Sequence, residues 1–232
     1  MKKLIFTLLS LFIVLSASAH AVFIETSLKG IQGKSHAIKI VYGEPDEHEV
    51  ISKWWWYKAG MEITLTLIKP DGSTSSLTTT AQDDHLLTSF IPDQDGVYHV
   101  SLKRDTERKK GAKTQYQINA IATIQVGNST IGNTATHLDN ELFVFAEQTA
   151  FKNKKEVTLT LFQKGKPASN TAVQIIAPSG WIKWLETDEQ GRVKFTPEWK
   201  GKYYAEVSKR EKVTGQDFEE YSRTSSMSFA VK

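Results

Sequence analysis

The sequence contains no cysteine among its 232 residues. This absence excludes a disulfide framework, thiolate metal ligands and a lipid anchor on cysteine, so packed hydrophobic cores must stabilise the fold. An excess of one charge is also missing, because 29 Lys and Arg residues face 26 Asp and Glu residues, a net charge of +3. A surface this close to neutral argues against nucleic acid as a partner.

Enzyme signatures are scarce as well. The chain has no Gly-x-Ser-x-Gly elbow, no His-Glu-x-x-His helix and no cysteine nucleophile. We therefore expect no catalytic residues and a protein that is not an enzyme.

One apolar run near the start of the chain could be either a membrane-spanning helix or part of a signal peptide. Leu4 to Leu15 follows two lysines and precedes the small residues Ser16 to Ala19, the pattern of a cleaved signal peptide. The run is too short to cross a bilayer comfortably. We expect residues 1–19 to be removed, which leaves 213 of the 232 residues, a net charge of +1 and no integral membrane segment. The mature chain would be periplasmic or secreted.

The remaining chain has the periodicity of β-strands almost throughout. Apolar and β-branched residues alternate in several short runs bounded by turn residues, and no segment has the spacing of a long amphipathic helix. These runs are 37–41, 62–67, 157–161 and 173–175. Many short strands at turn spacing predict an all-β fold built from antiparallel, immunoglobulin-like β-sandwiches.

An internal repeat sets the expected number of domains. Phe-x-Pro followed by Gly-x-Tyr occurs at 90–98 and again at 195–203, and Ile-x-Pro-x-Gly occurs at 68–72 and again at 176–180. Offsets of 105 and 108 residues fit a repeated domain rather than a short solenoid unit. We predict two tandem sandwiches, at 20–127 and 137–232, joined by a polar linker at 128–136.

His20 would become the first residue of the mature chain. Its α-amine and its imidazole would then offer a transition metal two nitrogen ligands from one residue, and imidazole suits copper, nickel and zinc. The alternative is that a histidine follows the cleavage site by chance, because terminal residues are often disordered and carry no chemistry.

Five further residues could complete or support such a site. If 21–27 and 36–42 form a hairpin, the chain returns Glu44 and His48 to the His20 end as optional oxygen or nitrogen donors; a solvated acidic loop is the alternative. His85 stands at the mouth of a strand and could supply a third nitrogen, supported by Asp83 and Asp84, although it could equally be an ordinary exposed histidine.

The other histidines and an aromatic run receive structural interpretations. We expect His36 to be a hydrogen-bonded histidine at the edge of the core, His99 to lie on the surface and His137 to lie at the linker. The run Trp54 to Tyr57 cannot bury all four rings on one strand face. At least one ring should be exposed, which could serve sugar stacking, a partner or the metal site, although core packing with one edge ring is the simpler explanation.

Parts of both predicted sandwiches resemble known families. His20 to Ser27, Val41 to Pro45, and Leu77 to Thr80 leading to Asp83-Asp84-His85 resemble the exported NikM-like domain family, whose relatives are described as periplasmic components of cobalt or nickel uptake. Members commonly carry Gly-His-Pro where this chain has Gly43-Glu44-Pro45, so a carboxylate replaces a nitrogen ligand here. Separately, Thr-Asp-x-x-Gly-x-Val-x-Phe at 187–195 resembles the transthyretin-like, or carboxypeptidase-regulatory, sandwich.

The residues and the first resemblance together predict an exported protein that binds a divalent transition metal. The metal would be nickel, cobalt or copper, and the protein would capture it or deliver it to an envelope transporter. Two alternatives remain open: an interaction or carbohydrate-binding module that needs no metal, and a copper-dependent polysaccharide oxidase that uses the same terminal histidine.

Overall fold

The computed structural model describes residues 21–45 and 63–232. The regular secondary structure of these residues consists of strands, apart from one short 3-10 turn at Ala135–His137. The strands are β1 Ala21–Thr26, β2 Lys29–Gly30, β3 His36–Gly43, β4 Thr64–Ile68, β5 Thr74–Thr78, β6 Thr80–Ala81, β7 Leu86–Phe90, β8 Gly96–Asp105, β9 Thr114–Val126, β10 Leu142–Phe145, β11 Val157–Gln163, β12 Lys166–Pro167, β13 Ala172–Ile176, β14 Ile182–Glu186, β15 Arg192–Phe195, β16 Gly201–Lys212 and β17 Glu220–Val231. The predicted runs at 37–41, 157–161 and 173–175 lie within observed strands, and so does the part 64–67 of the run at 62–67. No helix in this part of the chain is long and apolar enough to span a membrane.

The strands form two sandwiches, which confirms the predicted all-β class. The sheet β1-β3-β7-β6 packs against β4, β8 and β9, and side chains such as Ile40, Leu65 and Ile124 fill the space between them. The sheet of β10, β11, β12 and β15 packs against β13, β16 and β17 around Leu159, Ile175 and similar residues. The domain boundaries at 127 and 137 stay a prediction.

One sheet is shared by both sandwiches, a feature that the sequence pattern does not predict. Its order is β14-β13-β16-β17-β9-β8-β4-β5, and β2 also pairs with β9. The join is the parallel pairing of β17 with β9, from Glu220 opposite Thr114 to Met227 opposite Ile121. The two sandwiches are therefore connected by backbone hydrogen bonds as well as by the chain itself.

The repeated sequence motif forms the same corner in each sandwich. The Tyr98 hydroxyl accepts a hydrogen bond from the Gln94 amide and donates to the Gln94 carbonyl, each at 3.1 Å. Tyr203 makes the same two bonds with Trp199, also at 3.1 Å. A tyrosine that ties its own corner is a known feature of immunoglobulin-like sandwiches.

The corner also requires glycine before the tyrosine. Gly96 has φ 137°, and a Cβ atom there would lie 2.6 Å from Pro70 Cβ. A side chain is excluded at this position by both backbone conformation and space.

The first hairpin has the register that its sequence predicts. β1 and β3 pair antiparallel from Ala21 opposite Gly43 to Thr26 opposite Ile38. His36 is 7% exposed, and its Nε2 lies 2.7 Å from the Thr26 hydroxyl, as expected for a hydrogen-bonded histidine at the core edge. Burial lowers the pKa of His36.

The surface position predicted for His99 is wrong. Its side chain is fully buried, with Nε2 3.0 Å from the Gly132 carbonyl and Nδ1 3.1 Å from the Thr123 hydroxyl. Alternation correctly turns His99 away from the first core, but the segment after β9 folds back over the outer face of the shared sheet and brings Phe145 against the ring. Both faces of β8 are therefore covered.

Candidate metal centre

The structure describes some of the predicted metal-site residues and not others. Glu44, Asp83, Asp84 and His85 lie within the described residues. His20, His48 and the aromatic run at 54–57 lie outside them, so their predicted roles stay predictions.

Glu44 lies at the open end of the first hairpin, close in space to Ala21, the first described residue. It directly follows β3, whose last residue Gly43 pairs with Ala21. The carboxylate lines a cavity of about 220 Å³. The other lining residues are Phe23, Glu25, Val41, Gly43, Pro45 and Tyr204.

His85 is held by the neighbouring aspartate. Its Nδ1 lies 2.6 Å from Asp84 Oδ1, and its side chain is 16% exposed. This hydrogen bond is the main reason that the pKa of Asp84 lies below its ordinary value. With Nδ1 engaged, Nε2 is the ring nitrogen that remains for a ligand. Asp83 is exposed and adds a second carboxylate beside the first.

Strand register relates Glu44 to His85. Ile40 in β3 pairs with Leu86 in β7, so the residue before Leu86 continues toward the same end of the sheet as Gly43 and Glu44. Continued by one position, this register puts His85 opposite Val41, three residues before Glu44. The two candidate donors therefore lie toward the same end of the β1-β3-β7 sheet but about 10 Å apart along the strands, at about 3.3 Å per residue.

Residues 21–45 and 63–232 do not form a metal site by themselves. Within these ranges no three His, Cys, Asp or Glu side chains are grouped so that they could hold a metal ion. A complete site would need a donor from residues outside them, and His20 is the candidate that the sequence offers.

A contact between the sandwiches forms one wall of the cavity beside Glu44. The Tyr204 hydroxyl lies 2.5 Å from Glu25 Oε1, and Lys202 Nζ lies 2.5 Å from Glu25 Oε2. The Tyr204 ring packs edge-on against Phe23 at a centroid distance of 4.8 Å. Because these partners are about 180 residues apart in the chain, no local sequence signal could have indicated the contact.

Sequence reasoning also missed two exposed tryptophans in the second sandwich. Trp181 and Trp199 lie beside a small cleft and are 53% and 43% exposed. A sequence signal for them existed, because Trp199 lies within one repeated motif and Trp181 directly follows the other. The first copy has Gln94 and Ser73 at these positions.

Comparison with known proteins gives a family relationship and distant similarities to solved structures. No curated protein sequence matches the chain. Among solved structures, the chain is similar to the BSP domain of a biofilm-associated protein, with 10% identity and a TM-score of 0.28 over 91% of this chain and 29% of that one. It spans less than a third of that protein. A two-domain fibronectin type III segment of chicken tenascin shows 14% identity and a TM-score of 0.25, over 90% and 97% of the two chains.

A family model gives the clearest relationship. The model described as "Domain of unknown function (DUF4198)" matches residues 17–211, which include the first sandwich and most of the second. The chain belongs to the DUF4198 family.

Proposed function

We propose that this protein is exported and binds a divalent transition metal, which it captures for, or delivers to, an uptake system. The observation that carries the proposal is the hydrogen bond between Asp84 and His85. A metal-ligating histidine usually has its other ring nitrogen held by a carboxylate or carbonyl, which orients the ring and makes it a stronger donor. His85 has this arrangement, with Nε2 left to face a metal.

The start of the mature chain would supply the missing donors. Ala21 pairs with Gly43, so cleavage after Ala19 would leave His20 next to the strand end that carries Glu44. The α-amine and imidazole of His20, the imidazole of His85 and the carboxylate of Glu44 would form a set of three nitrogens and one oxygen, with His48 as an optional donor. Nitrogen-rich sets of this kind suit nickel, copper or cobalt.

The resemblance of the first sandwich to the NikM-like family supports the same role. The segments that resemble the NikM-like family include His20, Glu44 and the Asp83-Asp84-His85 run. Because Glu44 replaces the usual histidine, the relative affinity for copper, nickel and cobalt is the property in which this chain should differ most from such relatives. The transthyretin-like second sandwich would then support the first one mechanically.

The test is a calorimetric titration of the processed protein, which begins at His20, with copper, nickel, cobalt and zinc. A second protein carries one extra residue before His20, which turns the α-amine into an amide. A third carries His85→Gln, and His137→Gln serves as a control histidine away from the strand end. We expect one equivalent of metal to bind, and the extension and H85Q each to weaken binding at least about tenfold, as the loss of one ligand should.

Three results would overturn the proposal. Absence of binding would favour an interaction module that needs no metal. Binding that ignores both the extension and H85Q would locate the metal elsewhere. Oxidation of a polysaccharide by the copper-loaded protein and a reductant would replace metal capture by an oxidase function.

A further inference from the structure

Two exposed tryptophans border a cleft at the corner of the second sandwich. The rings of Trp181 and Trp199 are 6.1 Å apart between centroids and inclined at 65°, so they form two walls of one concave surface. They are 53% and 43% exposed. Large aromatic rings gain most from burial, so a pair left half in solvent at a concave site is typical of binding surfaces.

The internal repeat shows that the fold does not require these tryptophans. Trp181 follows the Pro-x-Gly turn, where its carbonyl accepts a hydrogen bond from Ala177 at 2.9 Å; in the first sandwich Ser73 accepts the same bond from Lys69, also at 2.9 Å.

Trp199 is equivalent to Gln94, because each makes the same two backbone bonds with its corner tyrosine. The same corner is therefore built once with Ser and Gln and once with two indoles. The corner can therefore form without the two indole side chains.

The cleft has the size and the lining of a site for one small ring. Its volume is about 110 Å³, well below the roughly 300–1,000 Å³ of pockets for drug-sized ligands. Ile175 and Tyr203 contribute apolar surface at its base. Polar groups come from Lys183, Glu198 and Thr196, which supply a cation, an anion and a hydroxyl.

We propose that this cleft binds a pyranose ring of a carbohydrate. The C–H face of a pyranose is apolar and weakly positive, which suits the negative face of an indole, while its hydroxyls need donors and acceptors at the edge. Lys183 can donate to a hydroxyl, Glu198 can accept from one and Thr196 can do either. Because the polar groups carry both signs of charge, a neutral sugar suits the cleft better than an ionic ligand does.

This site is separate from the proposed metal centre. It lies in the second sandwich, and none of its residues lines the cavity at Glu44. Sugar binding and metal binding can therefore succeed or fail independently.

The chain supplies its own matched variants and control. Trp181→Ser and Trp199→Gln introduce the residues that the first sandwich carries at the equivalent positions. Trp184→Ser removes another exposed tryptophan, at 64%, from the same strand as Lys183. Adjacent strand residues point to opposite faces, so Trp184 faces away from the cleft that Lys183 lines.

The experiment titrates the processed protein with cellohexaose, chitohexaose and mannohexaose at up to millimolar concentration, with decaproline as a competing class of ligand. Binding is measured by calorimetry and by the indole N–H signals in ¹H–¹⁵N NMR spectra. We expect at least one saccharide to bind and to shift the indole signals of Trp181 and Trp199 but not that of Trp184. The W181S/W199Q protein should bind about tenfold more weakly or worse, and W184S should bind normally.

Several outcomes would overturn the proposal. These are no binding of any of the three saccharides, binding that survives W181S/W199Q, and indole shifts confined to other tryptophans. Binding of decaproline in place of the sugars would make the cleft a peptide site instead. The NMR readout uses the unmodified protein, so it decides the question even if the double variant folds poorly.

Discussion

The Tyr204 hydroxyl, from β16 of the second sandwich, donates a 2.5 Å hydrogen bond to the Glu25 carboxylate in β1 of the first. Burial and this carboxylate together raise the pKa of Tyr204, so the phenol stays protonated and remains a donor. Lys202 binds the other oxygen of the same carboxylate. The first described strand, β1, is therefore attached directly to the second sandwich.

Removing the Tyr204 hydroxyl should destabilise the protein. Tyr204→Phe leaves one oxygen of a mostly buried carboxylate without its donor, and hydrogen bonds to charged groups contribute about 1.5–3 kcal/mol. We expect a loss of this size in urea unfolding at neutral pH. Lys202→Gln is the comparison, because that side chain is 49% exposed and an exposed ion pair contributes about 1 kcal/mol or less. A larger loss for K202Q than for Y204F would contradict this account.

The two corner tyrosines should differ in their contribution to stability. Besides the shared pair, the Tyr98 hydroxyl accepts a 3.2 Å bond from the Asp93 amide. Its single hydrogen is also shared between the Gln94 carbonyl and the Asp93 carboxylate, which lies 2.8 Å away. Tyr98→Phe should therefore cost about 2 kcal/mol and Tyr203→Phe about 1 kcal/mol, in keeping with the number and charge of the bonds removed. Urea unfolding of the two variants checks the order. Equal losses would mean that the Asp93 contacts contribute nothing.

His99 should make stability fall in mild acid. Burial lowers its pKa from 6.5 to about 4 in the folded protein, while the unfolded chain keeps the ordinary value. The stabilisation is fully present above pH 6.5 and is lost as the pH falls toward about 4, because only the unfolded state takes up the proton in that range. The loss is about 3 kcal/mol from this residue.

The comparison variant for this effect is His99→Gln, which cannot titrate. The difference in unfolding free energy between wild type and variant should shrink as the pH is lowered through this range. A difference that stays constant with pH would show that folding does not shift the pKa of His99.

The Asp84 carboxylate should matter for metal binding only through His85. Asp84→Asn keeps the size of the side chain but removes the charge that orients and strengthens the imidazole, so metal affinity should fall about 10- to 100-fold. Calorimetry with the metal that binds wild type most tightly measures the change. Asp83→Asn is the neighbouring control, and an equal loss there would point to general electrostatic attraction rather than to support of His85.

Metal affinity should decrease in acid if the α-amine of His20 is a ligand. An unperturbed α-amine has a pKa of about 7.7–8.0 and must lose its proton to bind, so affinity should fall about tenfold for each pH unit below that range. Titrations at about pH 8 and about pH 5 test this directly. Equal affinity at the two values would rule out the terminal chelate.

The fold was largely predictable from the sequence because its signals are local. The alternation in β3 and β11 and the Pro-x-Gly turns indicated strands and their ends correctly, and the hairpin register followed from β1 and β3 alone. His99 shows the limit. Side-chain alternation along β8 indicated correctly that His99 points away from the first core. The residues that bury this outer face follow β9 in the chain, and alternation does not predict where they pack.

The candidate site was predictable only as a set of residues. The sequence could select Asp84 and His85 because they are adjacent, and their contact is present in the structure. It could not reveal that Glu44 and Tyr204 line the same cavity, because these two residues are far apart in the sequence. The roles of His20 and His48 stay predictions.

The sequence by itself therefore determined the strands, the repeated corner and the all-β class, since each depends on side-chain alternation or turn residues within a few positions. Only the tertiary structure decided the parallel pairing of β9 with β17, the burial of His99 and the meeting of Trp181 with Trp199. These features depend on which distant surfaces pack together. That choice is made by the packing and hydrogen bonding of the whole chain, because no short segment contains both partners.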